Sequence, residues 1–381
     1  MNTLRRSLVF TGTLLLSILA GLTLILVGLH QLRLISFWHF PLKHVAAFFI
    51  FGSIVCFASA LMLKLSQRSS ATAHKQTWLK PHRRRRWVIW LVVVMICING
   101  PTYLMAYHVT HMRLPGTTGI GVPKPSNTRK PSDYGLAYAT HRIPIGASDW
   151  LEVWLVPTPA ATVKGTVILF PSNFGTKSRQ LIRPTETFTS LGYDCLLVDF
   201  QGLGGSSGNT VTVGLKEAKD VVRSLAYARE ISLPSPMILY GTSMGSAAIL
   251  RAIAVEQATP DAIILERPFA RMLNATKSRL RYRHVPAFPI AELILFWGSI
   301  QHGMNGFSHN PVEFAKSVHC PTLVIHGKHD KWTTVDEIKT LFNNLTDPKK
   351  LVISPKAAHQ QLISVDRPLW DASVVDFLSS L

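Results

Sequence analysis

Hydrophobic positions fall into two regimes along the chain: three long unbroken apolar runs come first, and short apolar strings alternating with amphipathic ones follow. The runs cover 8–29, 45–63 and 87–107, and none holds an acidic or basic side chain. Each is about long enough to cross a ~30 Å hydrocarbon layer as a helix. A buried core helix is usually shorter and carries a polar face, so the pattern predicts three transmembrane helices. A cleaved signal peptide is the rival reading of the first run. That run exceeds the usual apolar core of a signal peptide, and no Ala-x-Ala site follows it.

The later strings predict a different architecture. Strands are expected at 138–145 and 150–156, a hairpin around 146–149, then at 166–170, 194–199, 237–240, 262–265, 322–325 and 350–353. Helical patterns lie between them, among them 177–191, 214–230 and a helix starting at Ser243. Continuous apolar strands separated by helices mean a mostly parallel sheet covered on both faces, an α/β fold. The stretch 115–132, PGTTGIGVPKPSNTRKPS, reads as a semi-rigid tether. The expected organisation is a membrane region over 1–107, a tether over 108–132 and a catalytic-type domain over 133–381.

Charge divides at the same place. The formal net charge is +19. Residues 1–107 carry twelve Lys and Arg and no acid, and every Asp and Glu lies after residue 130. Between the second and third runs sit Lys64, Arg68, Lys75, Lys80 and Arg83 to Arg86, against Arg33 and Lys43 between the first two. Arginines abutting a span are a topology signal or a contact for anionic head groups rather than a nucleic-acid patch. The positive-inside rule then puts the basic loop in the cytoplasm. Three spans deliver the later domain to the far side, the expectation being a bacterial inner-membrane protein with a periplasmic domain. Absence of acids in or between the spans argues against proton or cation relays there. His108 and His111 lack a nearby third ligand and are expected to be interfacial side chains, while Cys195 and Cys320 read as buried small hydrophobes.

The chemistry concentrates at Ile238 to Ala248, where an apolar strand runs into a small-residue helix through Gly241-Thr242-Ser243-Met244-Gly245. A serine on such a strained strand-to-helix turn presents its Oγ above the sheet, and the N–H after it points at a developing oxyanion. The glycines at 241 and 245 avoid collisions in so tight a turn. Gly204 to Gly208 also fits Gly-x-Ser-x-Gly, but no helix follows to aim Ser206, which is expected to be a loop residue. The same run lacks the Gly-Lys-Ser/Thr ending of a phosphate cradle. A nucleophilic serine needs a base, and the base needs an orienting acid. Asp330 follows the strand at 322–325 and His359 follows the one at 350–353, so both emerge at the edge that carries Ser243. Asp336 and Glu337 look like first-turn helix residues, His326 like a packing or supporting group, and His329 lies too close to Asp330 to act as its relay.

With these residues the chain from about Asp133 to Leu381 resembles the α/β-hydrolase superfamily, and within it the serine-aminopeptidase-like, BAAT-like and Bem46-like hydrolases. The matching segments are Val198 to Gly208, Gly241 to Gly245, Glu266 to Phe269, and Cys320 to Asp330. The resemblance implies an eight-stranded-type sheet with a lid insertion, here about 271–310, and a Ser243-His359-Asp330 triad. The departure is at the oxyanion loop, where Ser172 and Asn173 stand in place of the common His-Gly. By register the Phe174 N–H becomes the second oxyanion donor beside that of Met244, and the Asn173 side chain is a further donor.

Within the lid, Arg279, Arg281, Arg283 and His284 precede the apolar stretch 285–300, which suits either a lipid-facing segment or an ordinary cap over a pocket. The expected function is a membrane-anchored serine hydrolase of carboxylic esters or thioesters, acting on lipid, acylated or small-molecule substrates. It needs no metal or organic cofactor and has no nucleic-acid partner. A serine peptidase or amidase, or a non-catalytic hydrolase-like module at the membrane, are the alternatives.

Overall fold

The computed structural model describes residues 81–346 and 348–381. The expected spans at 8–29 and 45–63 lie outside the described residues. The third run lies in helix α1 (Pro81–Thr110), of which Val92–Thr110 is long and apolar enough to cross a membrane. Its Val92, Val94, Met95 and Ile98 side chains are exposed. Thr102 and Thr110 turn their hydroxyls back onto the carbonyls of Ile98 and Ala106, at 2.9 and 2.8 Å, so these polar groups are satisfied within the helix.

The chain divides into two compact units, and the larger one, Ala106–Pro115 with Gly121–Leu381, holds an eight-stranded sheet. Its strands are β1 (Ala139–Pro144), β2 (Trp150–Val156), β3 (Gly165–Phe170), β4 (Tyr193–Val198), β5 (Met237–Thr242), β6 (Ala262–Glu266), β7 (Thr322–Gly327) and β8 (Lys349–Ser354). They lie in the order β8-β7-β6-β5-β3-β4-β2-β1. Strands β3 to β8 run parallel, while β2 pairs antiparallel with both β1 and β4. Every expected strand is present with ends within about two residues, the scatter normal for boundaries.

Alternation along the central strands sends successive side chains to opposite faces. Ile168, Phe170, Leu239, Ile263, Leu265 and Val324 join one core cluster with residues of α4 (Glu217–Glu230), α5 (Met244–Ala254), α8 (Pro311–Phe314) and α9 (Val335–Asn344). Val167, Leu169, Ile238, Tyr240, Ile264 and Ile325 join the other, with α3 (Ile182–Ser190) and α10 (Arg367–Ser379). A sheet buried on both faces is why these strands read as continuous apolar strings.

Two expected helices need correction. The helix at 177–191 is split at Leu181 into α2 (Lys177–Gln180) and α3. Helix α4 starts at Glu217 rather than Gly214, because the Glu217 carboxylate accepts from the N–H groups of Thr212 and Gly214, at 2.7 and 2.8 Å, and closes the preceding loop. The Pro/Gly-rich stretch expected as a tether is no bare spacer over 122–129. Lys124 donates to the Ser206 carbonyl at 2.6 Å, the Gly204 N–H bonds to Pro125 O, and Asn127 Nδ2 reaches Asp199 Oδ2 at 2.7 Å.

Asp199 centres a buried polar cluster. It pairs with the ammonium of Lys177, which also reaches Glu152 at 2.8 Å and lies over the Trp154 ring. Ser206 is buried with its hydroxyl donating to the Asp199 carbonyl at 2.6 Å, so the second Gly-x-Ser-x-Gly serine is a loop-closing residue.

Candidate active site

Strand β5 ends in Thr242, and the chain turns at Ser243 into α5. Ser243 sits at φ +53°, ψ −105°, a conformation that L side chains rarely adopt. Its N–H is held by the Glu266 carbonyl at 2.7 Å, and the Ser246 hydroxyl braces Gly241 O and Glu266 O. A Cβ on Gly241 would lie 2.6 Å from the backbone of Gly245 and Ser246, and one on Gly245 would lie 2.6 Å from Phe170 O. Both distances are shorter than real Cβ contacts, so the turn demands glycine at both places. Ser243 occupies the N-cap position without capping the helix. Its Oγ instead lies 3.1 Å from His359 Nε2.

His359 Nδ1 lies 2.6 Å from Asp330 Oδ2. A carboxylate only accepts, so Nδ1 carries the proton and Nε2 is left to accept from the serine hydroxyl. The other Asp330 oxygen accepts from the N–H groups of Trp332 and Thr333, at 2.8 and 3.2 Å. Burial raises the Asp330 pKa, but the hydrogen bond and charge of His359 outweigh it and leave the carboxyl below its ordinary value. Burial lowers the His359 pKa; Asp330 works in the opposite direction, and Arg267 and Arg279 add to the lowering. The imidazole is thus biased toward the neutral, proton-accepting form.

The Phe170–Gly175 loop starts beside the elbow, since Phe170 pairs with Gly241. Phe174 takes φ +57°. Among the described residues, neither the Phe174 nor the Met244 N–H donates a hydrogen bond outside the regular helices and strands. The Asn173 amide oxygen is buried and has no partner there either. The loop is braced from below by Gln180, whose Oε1 accepts from the Ser172 N–H at 2.8 Å and whose Nε2 donates to Ser172 Oγ at 2.7 Å.

Sequence reasoning left Glu266 and Arg267 without a role, although an acid–base pair directly after an apolar strand is an unusual signal. Both are buried. Glu266 accepts from Tyr240 Oη, from the Leu362 N–H at 2.8 Å and from Trp370 Nε1 at 3.3 Å. Arg267 donates to the backbone carbonyl of His359 at 2.6 Å and to Thr242 Oγ1, tying the histidine loop to the elbow strand. Trp332 was also missed; its ring lies 4.5 Å from that of His359. His326 is buried and bonds to Thr333 O at 3.1 Å, supporting the aspartate loop, whereas His329 is exposed. Asp336 and Glu337 lie in the first turn of α9, where Glu337 completes a capping box with Thr334.

Comparison with known proteins bears on the fold that carries this arrangement. The family model described as serine aminopeptidase, S33, matches residues 161–295, and one described as PhoPQ-activated pathogenicity-related protein matches 307–378. The chain has the α/β-hydrolase fold. It is 26% identical over 197 residues to YqkD of Bacillus subtilis, covering 51% of this chain and 65% of that protein. It is 23% identical over 300 residues to a Danio rerio protein named lysophosphatidylserine lipase ABHD12, covering 71% of this chain and 74% of the relative. Among solved structures, the esterase Pf2001 of Pyrococcus furiosus superposes with a TM-score of 0.58 at 20% identity, over 71% of this chain and 98% of the esterase. The hydrolase GrgF from Penicillium superposes with a TM-score of 0.51 at 17% identity, over 64% and 99%. Likeness at these identities speaks for the fold alone.

Proposed function

We propose that the protein is a membrane-anchored serine hydrolase that cleaves carboxylic esters or thioesters through an acyl-enzyme. The observation that carries this reading is the continuous contact Ser243 Oγ to His359 Nε2 to Asp330, with the serine held, almost fully buried, in a strained elbow at the end of β5. Ser243 Oγ attacks the acyl carbon as His359 takes its proton, and the negative charge gathers on the former carbonyl oxygen. The N–H groups of Met244 and Phe174 are the donors for that oxygen, with the Asn173 amide beside them. Collapse expels the alcohol or thiol with the proton from His359. Water, deprotonated by the same imidazole, then releases the acid and restores Ser243. Asp330 keeps the imidazole in the required tautomer and stabilises the imidazolium.

Lipid or other acyl esters are the favoured substrates. The name lysophosphatidylserine lipase, given to relatives matched over about 70% of this chain, suggests a long-chain acyl ester with a polar alcohol. The apolar lid supports the same choice. Amide cleavage, suggested by the serine aminopeptidase family model, uses the same residues and is the second reading. Anchoring rests on the apolar stretch Val92–Thr110 and on the two earlier apolar runs. The test is turnover of an acyl-ester series of increasing chain length by the full chain in detergent, beside Ser243→Ala. The reading expects ester turnover that falls by about 10³-fold or more in the variant. Equal turnover by the two proteins would remove Ser243 from the reaction.

A further inference from the structure

We propose that the insertion formed by α6 (Met272–Tyr282) and α7 (Ile290–His302) is an interfacial lid, seated in the head-group layer of a phospholipid bilayer that contains anionic lipid. The seating stands on surface chemistry alone; its consequence for substrate entry rests on the hydrolase reading above.

The outer side of the insertion is unusually apolar. Phe288 is 75% exposed, Tyr282 57%, Ile300 55% and Phe296 45%. Single exposed apolar residues are ordinary on a soluble surface, but four large ones on one two-helix insertion are not. Cations sit beside them. Arg281, Arg283 and His284 are exposed around Tyr282, and Lys331 Nζ lies 5.8 Å from the Tyr282 ring centre. Between residues 271 and 310 the only acid is Glu292, and Lys277 already pairs with it at 2.6 Å. Aromatic and aliphatic side chains edged with arginine and lysine match the layered chemistry of a lipid surface, with acyl carbon inside and phosphate outside.

The inner side is anchored. Leu295 of α7 and Met272 and Ala275 of α6 pack with Phe269, Leu215 and Ala247, the last being one turn into the helix that follows Ser243. Arg279 stacks 4.9 Å over Trp332, whose other neighbour is the His359 ring. The lid therefore roots in the candidate site while its apolar residues face outward.

Helix α1 also meets the lid at its end. Its last turn reaches α7: a Cβ on Gly298 would lie 4.0 Å from the Ala106 Cβ, and His111, just past the helix, stacks on His302 with ring centroids 5.2 Å apart. Ala106 belongs to the only helix long and apolar enough to cross a membrane among the described residues. Phe296 and Ile300, two residues to either side of Gly298, lie on the opposite face of α7, away from that contact. The exposed aromatic and aliphatic side chains edged with cations assign α7 to the depth of the head groups. An acyl substrate would then pass from the bilayer to Ser243 beneath the lid, without crossing water.

The test places a bimane fluorophore at Phe288→Cys in the full chain. The protein is reconstituted in phosphatidylcholine vesicles with or without phosphatidylglycerol, and the unsubstituted chain is labelled in parallel for the native cysteines. Quenching by brominated acyl chains, with protection from aqueous iodide, is expected, and Arg281→Gln with Arg283→Gln should weaken the acyl-chain quenching on the anionic vesicles. Phe288→Ser with Phe296→Ser should slow hydrolysis of a vesicle-held monoacyl phospholipid by about tenfold while changing that of a short soluble ester less than about twofold. Iodide quenching without acyl-chain quenching would overturn the seating. Equal loss on both esters would make the lid a plain pocket cap and overturn the entry route. If the wild type turns over neither ester, the hydrolase reading fails, and the quenching still decides the seating.

Discussion

At the scale of single residues, the site depends on a histidine kept neutral and a serine kept in a conformation it would not choose. His359 is partly buried beside Trp332, which lowers its pKa, and the Arg267 and Arg279 charges further disfavour its protonated form. Neutral His359 is the active base, so activity is lost as pH falls through its pKa. Burial lowers that pKa from the ordinary 6.5, which moves the acid limb downward. The kcat/KM of the wild type on a soluble ester should therefore remain above half its plateau at pH 6.5. A limb centred above about pH 7 would contradict the electrostatic account. Ser243, Asp330 and His359 were legible from the sequence because each follows an apolar strand at one sheet edge. Arg267 was not, because its bond to the His359 carbonyl spans 92 residues of chain and leaves no local pattern.

At the scale of elements, period-2 burial made the strands readable, while the connections were shaped by side-chain contacts that periodicity does not encode. The break between α2 and α3 and the late start of α4 are of that kind. So is the Lys177 cluster, in which three chain segments far apart in sequence supply Asn127, Glu152 and Asp199. Lys177 is fully buried, so removing its charge leaves Asp199 partly uncompensated. Lys177→Met should cost about 3 kcal/mol of unfolding free energy in denaturant titration of the full chain in detergent. The exposed Arg223–Glu230 pair should cost less than about 1 kcal/mol when broken. A Lys177→Met loss as small as that of the surface pair would show that the cluster contributes little. The N–H groups that Asp199 already accepts from Lys177 and Gly205, at 2.8 and 3.0 Å, set the expectation at the lower end for a buried pair.

At the scale of the whole molecule, composition alone separated an acid-free apolar region from a mixed-charge α/β unit, and the sheet of that unit has the expected parallel core. Sidedness is a matter of charge count. The basic stretch 64–86, whose last four arginines open α1, and the three apolar runs place the α/β unit outside the cytoplasm in our reading. Protease added to intact spheroplasts should then digest the domain beyond residue 110; protection until the membrane is opened would reverse the topology. The central claim, an assembled serine nucleophile, is tested most directly by a fluorophosphonate probe on the purified full chain, with Ser243→Ala and His359→Ala alongside. The account predicts covalent labelling of the wild type, none of Ser243→Ala, and labelling slowed by at least about 10²-fold in His359→Ala. A folded wild type that takes no label would contradict it, and would leave a hydrolase-like binding module with Ser172 and Asn173 in place of a working oxyanion loop.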